Sequence, residues 1–520
     1  MAGIDLNWGA VSTSQAFIAL AAIFFIVWSY TPTFMGIGAP YAGYSSFIVP
    51  GAWVRFRFTK GARDIINNGY KHWKNVMFKL SRTDRDILVL PNIYVDELRN
   101  LSGERLSSIV TLVRNNSGKY GGTDILLESE IASQAIQNKI TPQLASLMHP
   151  MKEELDHALA TEVPDCKDWT PIKAHPFFAT LVARVSNRVF VGKRIARDER
   201  WIKTVTDFTT NVAQTTMILR VVPPSLHGLV AFFLPTYWTV QRTIRDSYTI
   251  LGPEISRRRK AELEDDSYDK PVDLLQGIMD LAKPGTKQAS PRDLAHRQLV
   301  MSLAAVHTTA GQAANTLFDL CAHPEFFDEL REEIVTDVVH NPAGWDKQSL
   351  NKLKKLDSCL KEAQRLNPAS LLGFHRSVED RNGITLKDGK HLPQGTHICV
   401  ASYATTTDPE YVSNPTEFDP LRFWRMRQRT ADDANKHQFA TTSNQFLHFG
   451  HGKFSCPGRF FASNELKLLF STLLLRYDFK FKDGQERPKC VNIDEFLFVD
   501  PEAEVLIRER EEPMTFGGSK

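Results

Sequence analysis

The chain has 520 residues, 42% hydrophobic and 24% charged, with a formal net charge of +3. That balance excludes the broad basic field of a nucleic-acid-binding protein, and the apolar fraction excludes a disordered polymer. Six scattered cysteines without a Cys-x-x-Cys pair argue against a zinc site or a disulfide scaffold and for a reducing compartment.

The first predicted element is apolar. Residues 14–36 carry no charge and are long enough to cross a bilayer. They lack the positive flank and small-residue cleavage site of a removed signal peptide. Only Asp5 precedes the stretch, whereas Arg55, Arg57, Lys60 and Arg63 follow it, which leaves the body of the chain on the cytosolic side. The expectation is a short lumenal segment (1–13), a single transmembrane signal anchor (14–36) in the endoplasmic reticulum membrane, and a cytosolic domain (37–520).

Asp86-Ile-Leu-Val-Leu-Pro91 reads as a short buried strand before a helix over Tyr94–Ser107. Residues 125–160 and 172–216 carry helical periodicity. Met217–Trp238 is rich in Val, Leu, Phe and Pro and fits core or an apolar loop on a membrane surface. The charge run at 257–270 reads as a solvated helix end. Ser290-Pro291-Arg-Asp293 then opens a long helix with a capping serine, proline at the first position and an acid in the first turn. It should run to Ala322, on the order of 50 Å at 1.5 Å per residue. Its small, polar middle (Ala304 to Gln312) suits a protein core better than lipid. Lys347–Leu366 is a further helix, followed by strand-like runs at Phe374–Arg376, Ile384–Leu386 and His397–Ser402. The fold class is mainly α with a small β region.

Chemistry concentrates in Phe449-Gly-His-Gly-Lys-Phe-Ser-Cys456-Pro-Gly458, which sets one cysteine in a glycine-bracketed loop ahead of a helix. Backbone N–H groups and the positive helix end would stabilise a thiolate there, with Gly450, Gly452 and Gly458 allowing the tight path. A buried inert cysteine is the alternative. Glu362-Ala-Gln-Arg365 places an acid and a base on one helix face, and Phe418-Asp-Pro-Leu-Arg422-Phe423 offers a second guanidinium, so Glu362, Arg365 and Arg422 form a candidate structural cluster.

In combination these motifs resemble the cytochrome P-450 family of haem-thiolate monooxygenases, in the family's order and over nearly the whole chain. The resemblance implies the cytochrome P-450 fold behind an N-terminal transmembrane helix, and haem b with Cys456 as its axial thiolate and Phe449 packed by the sulfur. It makes the long helix the distal one, with Thr308 at the family's threonine and His307 in place of the usual acid, both catalytic candidates. It assigns Arg376 to a haem propionate. Two departures stand out: Phe454 occupies the position of a propionate-facing Arg or His, and Gln134 and Gln137 stand where basic residues commonly assist the other propionate. The His-Thr-Thr and Cys-Pro-Gly-Arg-Phe-Phe-Ala462 runs are similar to those of fungal enzymes that oxidise terpenoid and other secondary metabolites, including ent-kaurene oxidases.

The implied activity is hydroxylation or multistep oxidation of a lipophilic molecule, with a terpenoid, indole-diterpenoid or meroterpenoid character. It uses dioxygen and electrons from NADPH through NADPH-cytochrome P-450 reductase, with cytochrome b5 a further candidate partner. Lys453 and Arg459, then Lys352, Lys354 and Lys355, are candidates for the docking face. Val306, Ala310, Leu371, Leu372 and Leu497 are candidate substrate contacts, although core packing would select the same letters. Two alternatives remain at this level: a hydroperoxide isomerase or peroxygenase needing no reductase, and a non-catalytic haem- or lipid-binding membrane protein.

Overall fold

The computed structural model describes residues 20–23, 37–44, 49 and 51–511. The expected membrane span at 14–36 lies outside the described residues, apart from the exposed helical turn at 20–23. No helix among the described residues is long and apolar enough to cross a membrane.

Helices dominate. Those that build the site are α1 (Gly51–Trp73), α2 (Leu144–Glu162), α3 (Ala174–Val191), α4 (Glu199–Arg220), α5 (Pro235–Glu264), α6 (Pro291–Ala322), α7 (Lys354–Leu366) and α8 (Arg459–Arg476). The β region holds β1 (Tyr41–Ala42), β2 (Phe78–Ser81), β3 (Asp86–Val89), β4 (Leu106–Ser107), β5 (Thr170–Lys173), β6 (Gly373–Val378), β7 (His397–Val400), β8 (Tyr477–Lys480), β9 (Val491–Ile493), β10 (Phe496–Phe498) and β11 (Glu504–Glu509). Six strands form one sheet in the order β1-β2-β3-β7-β6-β4; β8, β11 and β5 form a second, and β9 and β10 a hairpin.

The long helix α6 is the spine. Ser290 Oγ caps it by accepting from the Asp293 N–H at 3.2 Å, and Asp293 pairs with buried Arg297 at 2.6 Å. It packs against α3, α4, α5 and α7. Its apolar residues join the largest core cluster, whereas two smaller clusters lie beside the main sheet. Helix α7 starts on a cap from elsewhere in the chain: Glu333 accepts the Lys355 and Leu356 N–H groups at 2.6 and 2.9 Å.

Several expectations change at boundaries. The helix expected over Tyr94–Ser107 stops after Val95–Leu98, because Leu106 and Ser107 are taken up by the sheet opposite Val378 and Ser377. The 125–160 segment divides into Ile125–Glu128, a helix from Ile131 that widens into a π turn at Ile136–Ile140, and α2. Within 172–216, Gly192 at φ +77° separates α3 from the single helical turn Lys193–Ala196. The 347–366 helix breaks at Leu353, whose ψ of 71° is incompatible with an α turn. The strand expected to reach Ser402 ends at Val400, and Ser402 opens a short helix. In the 257–270 run Arg258 is buried rather than solvated, since Asp273 and Glu254 hold it at 2.6 and 2.9 Å.

Candidate active site

The loop ahead of α8 is shaped by two left-handed glycines, Gly450 at φ +67° and Gly452 at φ +75°. A side chain at Gly452 would also strike the Arg99 carbonyl oxygen, 2.4 Å from the Cβ position. The Lys453 N–H donates to that same oxygen at 3.0 Å, so the loop is pinned to a distant segment. The Cys456 N–H donates to the Phe449 carbonyl at 2.7 Å, and the Phe449 ring meets Phe439 edge-on at 5.2 Å. Burial pushes the Cys456 thiol up, while the Gly458 N–H, the Arg459 guanidinium and the Arg459 N–H pull it back down. These are the donors a metal-bound sulfur needs, at the positive end of α8. Gly458 itself has φ −88°, so its part is the N–H rather than the left-handed freedom expected of it.

In α6 the residues around the middle turn divide by face. Ala304 and Thr308 are exposed, although neighbours such as Ala310 and Ala313 are fully buried. Thr308 Oγ1 donates to the Ala304 carbonyl at 2.8 Å. His307 turns another way. Its Nε2 lies 2.9 Å from Thr209 Oγ1 on α4, and its ring stacks on His175 of α3 with centroids 6.1 Å apart and planes 4° apart. Thr209 already gives its proton to the Thr206 carbonyl, so His307 is the donor in that pair. Burial and His175 hold the His307 pKa at about 4. The structure thus places His307 as a neutral tether to α3 and α4, with no hydrogen bond to Thr308.

Arg376 sits where the main sheet is irregular. The register between β6 and β7 shifts between Gly373 and Arg376, and Phe374 adopts φ +57°. Such a bulge re-aims side chains. Arg376 is 3% exposed; Nη1 donates to the His375 carbonyl at 2.8 Å, and Nη2 has no partner among the described residues. Its guanidinium lies 4.5 Å from the Phe374 ring centre and 5.3 Å from that of Phe454. Burial lowers its pKa to about 10, so it remains a cation at neutral pH. A buried, half-satisfied guanidinium requires an anion. The N–H-cradled sulfur and this cation match the iron ligand and propionate contact of haem, so the residues fit the group.

Glu362, Arg365 and Arg422 form one buried cluster as expected. Arg365 Nε and Nη2 fork onto Glu362 at 2.8 and 2.7 Å, and Arg422 Nε reaches Glu362 Oε1 at 3.0 Å. The remaining guanidinium donors take the carbonyls of Thr406, Pro415 and Glu417 at 3.1, 2.5 and 3.2 Å. The cluster therefore ties α7 to the irregular chain leading toward the cysteine loop.

The expected substrate contacts part company. Val306 and Ala310 stay on α6, both buried. Leu371, Leu372 and Leu497 pack with Phe58, Ile66 and Ile87 in a core cluster, which gives them a structural role. Gln134 and Gln137 are exposed on the helix before α2. Sequence reasoning missed Arg99, whose Nη1 lies 3.1 Å from His451 Nε2; its partner is 352 residues away and no local motif marks it.

Residues 114–507 match the family model described as Cytochrome P450. A cytochrome P450 monooxygenase, terK, of Tolypocladium album is 45% identical over 97% of this chain and 95% of that protein. The cytochrome P450 monooxygenase ltmK of Epichloe festucae is 38% identical over 96% and 94%, and an ent-kaurene oxidase of Gibberella fujikuroi 37% over 91% and 93%. Motif geometry and similarity over almost the full length agree: the chain belongs to the cytochrome P450 family and is a haem-thiolate monooxygenase.

Proposed function

We propose that the enzyme hydroxylates, or oxidises in several steps, a lipophilic secondary metabolite of terpenoid, indole-diterpenoid or meroterpenoid character, drawing electrons from NADPH through a flavoprotein reductase. The observation that carries the reading is Thr308, a hydroxyl held on the exposed face of an otherwise buried helix turn. The printed names of the relatives, monooxygenases and an ent-kaurene oxidase, support the substrate class.

Bound haem supplies dioxygen activation, and thiolate donation favours O–O cleavage over reversible carriage. The chain does the rest. Cys456 provides the sulfur, held by the N–H groups of Gly458 and Arg459. Arg376 pairs with a propionate and fixes the ring's orientation. Thr308 holds a proton at Oγ1 for the distal side, while His307 fixes the helix against α3 and α4. Val306 and Ala310 keep that side apolar and exclude water.

Electrons would arrive from the cysteine side, where Lys453, Lys352 and Lys354 are exposed and offer positive charge to an acidic partner. Lys355 is a weaker candidate, being paired with Glu329 at 2.7 Å. Membrane attachment at the endoplasmic reticulum, with the catalytic domain cytosolic, is supported by exposed Leu229, Phe232 and Phe233 between α4 and α5. Co-expression with a reductase in a host fed terpenoid scaffolds, with mass spectrometry of the products, tests the function. Oxidation that proceeds with hydroperoxide and without NADPH or reductase would replace it with a peroxygenase.

A further inference from the structure

The last residue of α4, Arg220, is a cation in the apolar region where substrate would lie. Its Nη1 donates to Asp494 Oδ2 at 3.0 Å, in the turn between β9 and β10, and its guanidinium lies 4.9 Å from the Phe496 ring centre. Only 9% of the side chain is exposed, yet Nε and Nη2 have no partner among the described residues. Glu495, fully buried, gives Oε1 to Arg82 Nη1 at 2.8 Å. Its Oε2 lies 3.6 Å from Arg220 Nη1, beyond hydrogen-bond length, and is also unpartnered among the described residues. Two donors and one acceptor thus stand open side by side.

Their place in the fold is informative. The Glu495 carbonyl accepts the Leu371 N–H at 2.7 Å, in the segment that runs into Arg376. Thr209, the contact of the distal helix, lies eleven residues before Arg220 on α4, about 16 Å at 1.5 Å per residue. The pair is therefore far from the reacting end of a bound molecule, at a distance a fused polycyclic skeleton spans.

Charge decides what fits. Arg82, Arg85 and Arg220 face Asp84, Asp494 and Glu495, so the cluster is already balanced. A carboxylate or an ammonium would add an uncompensated buried charge. A ketone would use the guanidinium and leave Glu495 Oε2 open. A hydroxyl accepts from Arg220 and donates to Glu495, which satisfies both. We propose that Arg220 and Glu495 form a recognition site for a hydroxyl at the far end of an otherwise lipophilic substrate. This rests on the lipophilic-substrate reading above.

Binding of 5α-androstane, 5α-androstan-3β-ol and 5α-androstan-3-one to the holoenzyme by equilibrium dialysis tests it without turnover. The alcohol should bind about tenfold or more tighter than the hydrocarbon, with the ketone between them. Arg220→Met should erase that preference while hydrocarbon affinity stays. Arg220→Lys should erase it too, although it keeps a cation beside Asp494. Equal binding of alcohol and hydrocarbon by the unmodified enzyme overturns the proposal, as does a parallel loss of both ligands in Arg220→Lys, which marks a structural latch. Binding of none of the three overturns the lipophilic-substrate reading and the hydroxyl site with it.

Discussion

The guanidinium of Arg376 rests 5.3 Å from the ring centre of Phe454, two residues before the thiolate, so an aromatic face stands beside the buried cation. Phe454 stabilises the cation through its ring but offers no donor to an anion. Arg376 therefore carries the propionate contact on this edge, and Arg376→Ala should lower the haem-to-protein ratio several-fold after gel filtration. Phe454→His, which restores a donor, should raise retention above the unmodified enzyme. An unchanged haem content in Arg376→Ala would remove the residue from the haem site.

Cys456→Ala should abolish the red-shifted Soret band of the ferrous carbonyl adduct, because no other described cysteine lies in an N–H-lined loop before a helix. Thr308→Val is isosteric and removes only the hydroxyl. It should divert reducing equivalents to hydrogen peroxide, raising peroxide released per NADPH while haem content stays constant.

Glu362 neutralises two guanidinium groups in a fully buried setting. Glu362→Gln keeps the shape and strands both charges, at a cost of about 3–5 kcal/mol. Urea unfolding followed by far-ultraviolet circular dichroism should show that loss. A change below about 1 kcal/mol would mean that the cluster is solvated.

Buried histidines set the acid limit. Burial holds His307 and His375 at about 4 and His448 at about 3, whereas an unfolded chain titrates near 6.5. Between those values the unfolded state binds more protons, so stability is full above pH 6.5 and falls as pH drops toward 4. His448→Phe, at a ring whose two nitrogens have no partner among the described residues, should move the acid-unfolding midpoint to lower pH.

Glu465 works in the opposite sense. Burial on α8 raises its pKa to about 8, with Ser186 Oγ donating to Oε1 at 2.7 Å. The folded state then holds a proton that the unfolded chain loses near 4.5, so this contribution declines as pH rises from 4.5 through 8. Glu465→Gln should be near neutral at pH 5 and stabilising at pH 9 in thermal melts.

Much of the site was legible where chemistry is written locally. The cysteine loop, the Glu362–Arg365 spacing and the Ser290 cap each need residues a few positions apart, so a linear reading finds them. Helix lengths were less legible, because breaks such as Leu353 arise from distant packing. Leu371, Leu372 and Leu497 illustrate a different limit, since an apolar residue reads alike whether it meets substrate or core.

The sequence by itself determined the family, the iron ligand and the salt-bridged cluster, because backbone-bound thiolates and carboxylate forks demand particular residues at short spacing. Only the tertiary structure decided what His307 does, turning its ring to Thr209, ninety-eight residues earlier in the chain. It also decided that Arg220 meets Asp494 and Glu495 with donors to spare. Those relationships join helices and turns remote in sequence, and side-chain direction on a packed helix is set by its neighbours rather than by its own letters.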